Sequence, residues 1–322
     1  MTSAVQSPLA TFPEPLPFRR RWYPMGYPID VVTNSAEVLA GAASIWQAYP
    51  SLSEEAPVEL KIEVSESGAA PVPAAPCHLE HLVTIVQGPD NFAIADMVSG
   101  VGLMRISREV AKNSGWFLYH FLEPIAYVLL GARHFAMVHA SCIALQGAAV
   151  LLCGPAGAGK TCLAYASAKR GWSFISGDAT QLPRGERDLT VVGRPFSIRF
   201  RYSAKVLFPE LSAFRASLRP NGKCDLELDP RQLGLSLCLR ARAGLVVFLN
   251  RVPGISRPEI QPASRRYAQD TLRESIRVGD ARTRAEQAAT LDRLIDKPCV
   301  LLTYSDPAEA EKLLRSMVTK AN

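Results

Sequence analysis

Residues 154–161 read GPAGAGKT, and this octapeptide constrains the fold more than any other stretch of the chain. It fits the pattern G-x-x-x-x-G-K-[ST] at every fixed position: Gly154, Gly159, Lys160 and Thr161. The pattern has a physical meaning in one setting, where a strand enters a glycine-rich turn and a helix leaves it. The flanks provide that setting. Residues 148–153 (AAVLLC) are a short apolar run suited to a buried strand, and 161–170 (TCLAYASAKR) are helix-compatible. Gly171 then stands where a helix stop is expected. In such a turn, glycine lets successive backbone N–H groups face a phosphate. The loop residues Gly154, Pro155, Ala156, Gly157, Ala158 and Gly159 are therefore expected to enclose one, with Lys160, Thr161 and Cys162 opening the helix. In the pattern the lysine reaches the β and γ phosphates and the threonine hydroxyl binds Mg²⁺. ATP and Mg²⁺ are the expected ligands.

Bulk properties agree with a globular protein. The chain has 322 residues, 48% hydrophobic and 20% charged, enough for two ordinary domains or one large one. No apolar run approaches the ~18 residues a membrane span needs. The start is proline-rich and lacks an apolar export core, so a cytoplasmic location is expected. The net charge of +6 is a modest excess that ATP and an acidic partner explain as well as nucleic acid would. Zinc-finger spacing and aromatic RNA-binding motifs are lacking, so no nucleic-acid partner is expected, and no membrane partner. A homo-oligomer is left open. The seven cysteines are scattered, several within apolar runs, as suits small buried thiols. Cys77, His78 and His81 are the one ligand-like cluster. They begin a strand-like stretch that would send the two histidines to opposite faces, so no metal site is expected there.

Along the chain, residues 1–27 carry five prolines and no periodicity, and read as a proline-rich arm. Residues 28–132 read as a smaller α+β domain. Its strands are expected at 29–33, 58–64, 82–86, 92–97 and 102–106. Ser35 is expected to cap a helix running to Trp46, and a long apolar helix is expected over 116–130. From about 133 to 322, strands (138–145, 149–153, 173–176, 189–192, 245–249, 300–304) alternate with helices (161–170, 203–208, 265–276, 283–295, 307–319). That alternation argues an α/β nucleotide-binding domain.

The stretch VHASCIALQGAAVLLCGPAGAGKTCLAYASAKRGWSFISGDATQL resembles the catalytic core of HPr kinase/phosphorylase, and more closely the wider bacterial group sharing that kinase's C-terminal domain. The likeness rests on His139 in VHAS, on the glycine loop, and on Asp178 in RGWSFISGDATQL. The segments VVGRPFSIRFRYSAKVLFPEL and DKPCVLLTYSDPAEAEKLL are also similar to that group, so the resemblance covers about 135–320. It implies an α/β fold with a P-loop core of the HPr kinase/phosphoenolpyruvate carboxykinase type. It also implies transfer of the ATP γ-phosphate to a hydroxyl, chiefly serine, of a peptide, protein or small-molecule acceptor. By that resemblance Lys160 neutralises the β and γ phosphates, and Thr161 and Asp178 hold Mg²⁺. Asp178 also serves to orient the nucleophile, and His139 handles protons or charge near the γ-phosphate. The kinase has two adjacent aspartates where this chain has Gly177-Asp178, and two of its later motifs are missing. The expectation is therefore a divergent relative with a different acceptor. A catalytically weak ATP-binding regulatory module and an ATPase without acceptor are the alternatives.

Without the resemblance, the same residues have plainer readings. His139 is then a buried histidine ending a strand, and Asp178 a turn residue. Arg199 and Arg201, two apart in SIRFR, share one side of a strand, as a grip for phosphate or acidic acceptor or as a solvated face. Arg251 follows a strand whose end would face a ligand crevice.

Overall fold

The described residues divide into two compact units, one up to Arg133 together with Val278–Asp280, and one from His134 to Ile276 together with Ala281–Ala321. The computed structural model describes residues 15–66, 68, 70–220, 222–276 and 278–321.

The first unit is built on a seven-stranded sheet. Its strands are β1 (Phe18–Trp22), β2 (Ile29–Thr33), β3 (Val58–Ser65), β4 (Cys77–Leu79), β5 (Leu82–Val86), β6 (Phe92–Asp96) and β7 (Val101–Ser107). They lie in the order β1-β2-β3-β7-β6-β5-β4, with β2, β3 and β7 mutually parallel. Helix α1 (Ala36–Trp46) begins at Ser35, whose Oγ accepts the Val38 N–H at 3.4 Å. The apolar segment after β7 forms α2 (Arg108–Lys112), α3 (Ser114–Phe117), a π-type turn over Leu118–Leu122, and α4 (Glu123–His134).

The expected arm differs. Residues 1–14 lie outside the described residues, but Phe18–Trp22 is an edge strand antiparallel to β2. Its arginines supply the reason. Asp30 on β2 accepts bonds of 2.6 and 2.9 Å from Arg21 and 2.6 Å from Arg19. Trp22, at the strand's end, packs edge-on to Trp46 with ring centroids 6.3 Å apart. The stretch from Cys77 is also not one strand start but a hairpin, turning at Glu80 with φ +49°.

The second unit carries a nine-stranded sheet. In chain order it contains β8 (Phe135–Val138), β9 (Ala140–Leu145), β10 (Ala148–Cys153), α5 (Lys160–Ala168), β11 (Ser173–Ser176), β12 (Thr180–Pro183) and β13 (Thr190–Val192). There follow β14 (Ile198–Arg201), α6 (Ala204–Leu207), β15 (Ser217–Leu218), β16 (Cys224–Leu228), β17 (Arg240–Arg251) and β18 (Glu259–Pro262). Helices α7 (Arg265–Arg273) and α8 (Ala281–Leu294), strand β19 (Cys299–Tyr304) and helix α9 (Pro307–Ala321) close the chain. The main path is β11-β9-β10-β17-β13-β12-β8, with β19 pairing β17 and β18. Strands β14, β16 and β15 make a separate small sheet.

Period-two alternation explains the layering. On β10, Val150 and Leu152 join a core with Leu163 of α5 and Leu314 of α9. Ala149, Leu151 and Cys153 face the other way, into a core with Leu272 of α7 and Leu291 of α8. Both faces of the strand are thus buried, as its continuous apolar sequence requires. Glu311 of α9, only 1% exposed, accepts from Trp172 Nε1 at 2.8 Å and Arg315 Nε at 2.7 Å, with Arg170 at 3.4 Å. This fastens α9 to the turn that follows α5. Among the described residues, no helix is long and apolar enough to cross a membrane.

Candidate functional site

Strands β10, β17 and β19 are parallel, so their C-terminal ends share one edge of the sheet. The register sets Cys153 beside Phe248 and Arg251 beside Tyr304. The glycine loop leaves β10 at this edge, beside the last residues of the two longer-reaching strands. Gly159 ends it with φ +89°, in the left-handed region that glycine tolerates best. A methyl group there would also collide with the Tyr304 hydroxyl. That hydroxyl donates to Ala158 O at 2.8 Å and braces the loop from β19.

Lys160 opens α5 and folds back under the loop. Its Nζ donates to Gly154 O at 2.7 Å and Pro155 O at 3.2 Å, and the residue is only 7% exposed. Burial pushes its ammonium below the ordinary lysine range, and the Asp178 charge partly offsets this. Its hydrogen-bonding partners in the structure are neutral carbonyls. The N–H groups of the first helical turn, from Lys160 onward, have no acceptor within the helix and open towards the loop. Pro155, Ala156 and Gly157 are exposed, while Ala158 is buried. Cys162, one residue beyond Thr161, is mostly enclosed, and burial raises its thiol.

The turn between β11 and β12 stands beside this helix start. Gly177 O accepts from Thr161 Oγ1 at 3.2 Å and from Ser141 Oγ at 2.5 Å. Asp178 follows, with Oδ1 3.4 Å from His139 Nδ1 and both side chains more than half exposed. The expected continuous strand over 138–145 is broken at His139. Strand β8 pairs β12, whereas β9 pairs β10 and β11. His139 bridges the two, its N–H donating to Ser275 Oγ at 3.1 Å. The break takes His139 out of the buried strand-end position of its plainer reading and leaves the imidazole exposed beside Asp178. The pair is long for a hydrogen bond and solvated, so it contributes little stability.

Lys160, Asp178 and His139 thus gather at one end of the sheet, and Thr161 is tied to them through Gly177. Arg199 and Arg201 part company: Arg199 pairs with Glu227 at 3.0 Å, while Arg201 turns to Gly157. Arg251 passes beside Gly159, its Nε donating to Ser305 O at 3.3 Å. Sequence reasoning missed Tyr304 and Ser141. Both carry a legible signal, a hydroxyl at the end of an apolar strand for Tyr304 and a position two residues from His139 for Ser141.

No metal-binding group of three or more His, Cys, Asp or Glu occurs among the described residues. The oxygens of the site that could hold a hard cation such as Mg²⁺ are Thr161 Oγ1 and the Asp178 carboxylate, since such an ion keeps water and phosphate in the rest of its shell. A buried ammonium and the helix amides beside the glycine turn are donors that could hold a polyphosphate.

No family model matches the chain, and no curated protein matches it. Among solved structures it is similar to the HPr(Ser) kinase/phosphatase from Coxiella burnetii, at 15% identity and a TM-score of 0.33. That alignment covers 57% of this chain and 92% of the other.

Proposed function

We propose that the protein is an ATP- and Mg²⁺-dependent phosphotransferase that moves the γ-phosphoryl group to a hydroxyl, serine foremost, of a peptide, protein or small molecule. The observation that carries the reading is the Lys160 ammonium, buried inside the loop on two carbonyl oxygens. Burying a cation on neutral hydrogen-bond partners is costly, Asp178 offsets only part of that cost, and an incoming phosphate would supply further opposite charge. Phosphoryl transfer needs little more from a protein than positioning and neutralisation of the equatorial oxygens. The loop amides and Lys160 provide both. Mg²⁺, held by Thr161 and Asp178, would draw charge from the β and γ oxygens. In the transfer, the bond from the γ-phosphorus to the β–γ bridging oxygen breaks, and the acceptor oxygen bonds that phosphorus. The acceptor's proton passes to the His139–Asp178 pair, which stands exposed where an acceptor can reach it.

The test is transfer from γ-labelled Mg-ATP, with lysate of the native host as acceptor pool. A labelled product is expected from the wild type and not from Lys160→Ala or Asp178→Ala. Undiminished labelling by Lys160→Ala would overturn the reading. One observation favours a second reading, an ATP-binding module without transfer: the group beside the Thr161 hydroxyl is the Gly177 carbonyl, not a carboxylate. That reading predicts bound ATP and no labelled product.

A further inference from the structure

Arg199 and Arg201 leave β14 on the same face, and each has a carboxylate opposite it on β16. The register pairs Arg199 with Glu227 and Arg201 with Asp225. Arg199 takes its partner, at 3.0 Å. Arg201 does not: Asp225 lies 3.5 Å from Arg219 instead. Among the described residues the Arg201 side chain makes no hydrogen bond or ion pair. Its side chain reaches the glycine loop, with Nη1 3.9 Å from the position a Cβ would take on Gly157. Gly157 itself has φ +91°, which favours a residue without a side chain and leaves the loop surface bare beneath the guanidinium. The Arg201 charge also helps lower the Lys160 ammonium, so the two cations feel one another. Two like charges that act on one another, one of them left unpaired because Arg219 engages the carboxylate opposite it, make a site that an anion would complete.

We propose that Arg201 is the second phosphate-gripping cation of this site and binds the end of the polyphosphate that Lys160 binds. The inference rests on the nucleotide reading above and adds a specificity to it: Arg201 separates nucleoside triphosphate from diphosphate. Arginine suits the role, because its planar fork offers two parallel donors to phosphate oxygens and its charge is permanent. Arg199, held by Glu227, serves the small sheet and not the ligand.

The experiment measures calorimetric affinities for Mg-ADP and for the Mg²⁺ complex of the β,γ-imido analogue of ATP. The wild type, Arg201→Ala, Arg201→Lys and Arg199→Ala are compared, with thermal melts as the folding control. Arg201→Ala is expected to melt with the wild type, since its side chain is exposed and unpaired. It should weaken the triphosphate analogue about 10- to 100-fold and ADP by less than about threefold. Arg201→Lys should recover part of the loss, and Arg199→Ala should leave the ratio of the two affinities unchanged. Equal weakening of both nucleotides by Arg201→Ala, or of neither, overturns the assignment while the nucleotide reading stands. A wild type that binds neither nucleotide overturns both.

Discussion

Replacing Gly159 with alanine tests the brace between the loop and β19, and its cost can be worked from the geometry. Two penalties apply. The first is backbone strain, because Gly159 has φ +89°, and a side chain there costs about 1–2 kcal/mol. The second is steric: the new methyl group meets the Tyr304 hydroxyl, which must move and give up its 2.8 Å bond to Ala158 O. Tyr304 is fully buried, so an unmatched polar group is left behind at about 1–3 kcal/mol. Gly159→Ala should therefore lose about 2–5 kcal/mol. Tyr304→Phe alone should lose about 1–3 kcal/mol, the hydrogen-bond part. In the double variant the obstructing oxygen is gone, and the methyl's next neighbours, the ring Cζ of residue 304 and Arg251 Cδ, both lie at 3.5 Å, ordinary contact. The hydrogen bond is then lost once rather than twice. The double variant should be no worse than Gly159→Ala alone, a departure from additivity of about 1–3 kcal/mol. Native-state hydrogen exchange of the β10 and β17 amides reads the stability of this unit for all four proteins. Full additivity, or a Gly159→Ala cost below about 1 kcal/mol, would refute the brace.

Three further outcomes are expected. Glu311→Ala removes the buried carboxylate shared by Trp172, Arg315 and Arg170, leaves the buried Trp172 Nε1 without its acceptor and should cost about 1–3 kcal/mol in the same exchange measurement; a loss under about 0.5 kcal/mol would show that the cluster holds nothing. Asp30 is held below its ordinary value of 3.8 first by Arg21, then by Arg19, so its contribution is full above that pH and is lost as pH falls through the folded value. Urea midpoints of the first unit should thus fall more steeply below about pH 4 in the wild type than in Asp30→Asn, and parallel curves would refute the pairing. A side chain at 177 would start towards Phe174 Cζ at 3.6 Å and Ile198 Cγ1 at 3.9 Å, both apolar, so Gly177→Asp should leave labelled transfer within about threefold of wild type. A gain of about 100-fold, the scale of a general base, would show that position 177 faces the acceptor.

The parts of the fold that were legible in the sequence are those whose signal is local. Strands β2, β5 and β11 fall at their expected residues, because each is a short apolar or β-branched run closed by turn residues. Helix α1 begins where Ser35 allows it to. Strand β1 was not legible, because three of its five residues are arginines and only the carboxylate on the neighbouring strand makes it a strand. The break at His139 was hidden for a related reason. The run 138–145 is apolar enough for one continuous strand, but its two ends pair with different partners, and pairing is a property of the sheet. In the site, the glycine loop was legible as a motif. The difference between Arg199 and Arg201 was not, since both lie on the same face of the same strand and only the competition of Arg219 for Asp225 separates them.

That separation bears on how such a site can work. The loop backbone is fixed from two sides, by the Tyr304 hydroxyl on Ala158 and by the Lys160 ammonium on Gly154 and Pro155. Donors fixed before the ligand arrives need no reorganisation when it binds, which is where electrostatic stabilisation is strongest. Arg201 and the His139–Asp178 pair are exposed and weakly held, and they come from β14 and from the ends of β8 and β11 rather than from the loop. On the proposed reading they would adjust to the nucleotide and to an acceptor while the cradle stays rigid. A site divided in this way should tolerate changes at Arg201 or His139 with little loss of stability and fail structurally at Gly159 or Tyr304. Loss of function with a retained fold would then mark the adaptive groups, and loss of both would mark the cradle.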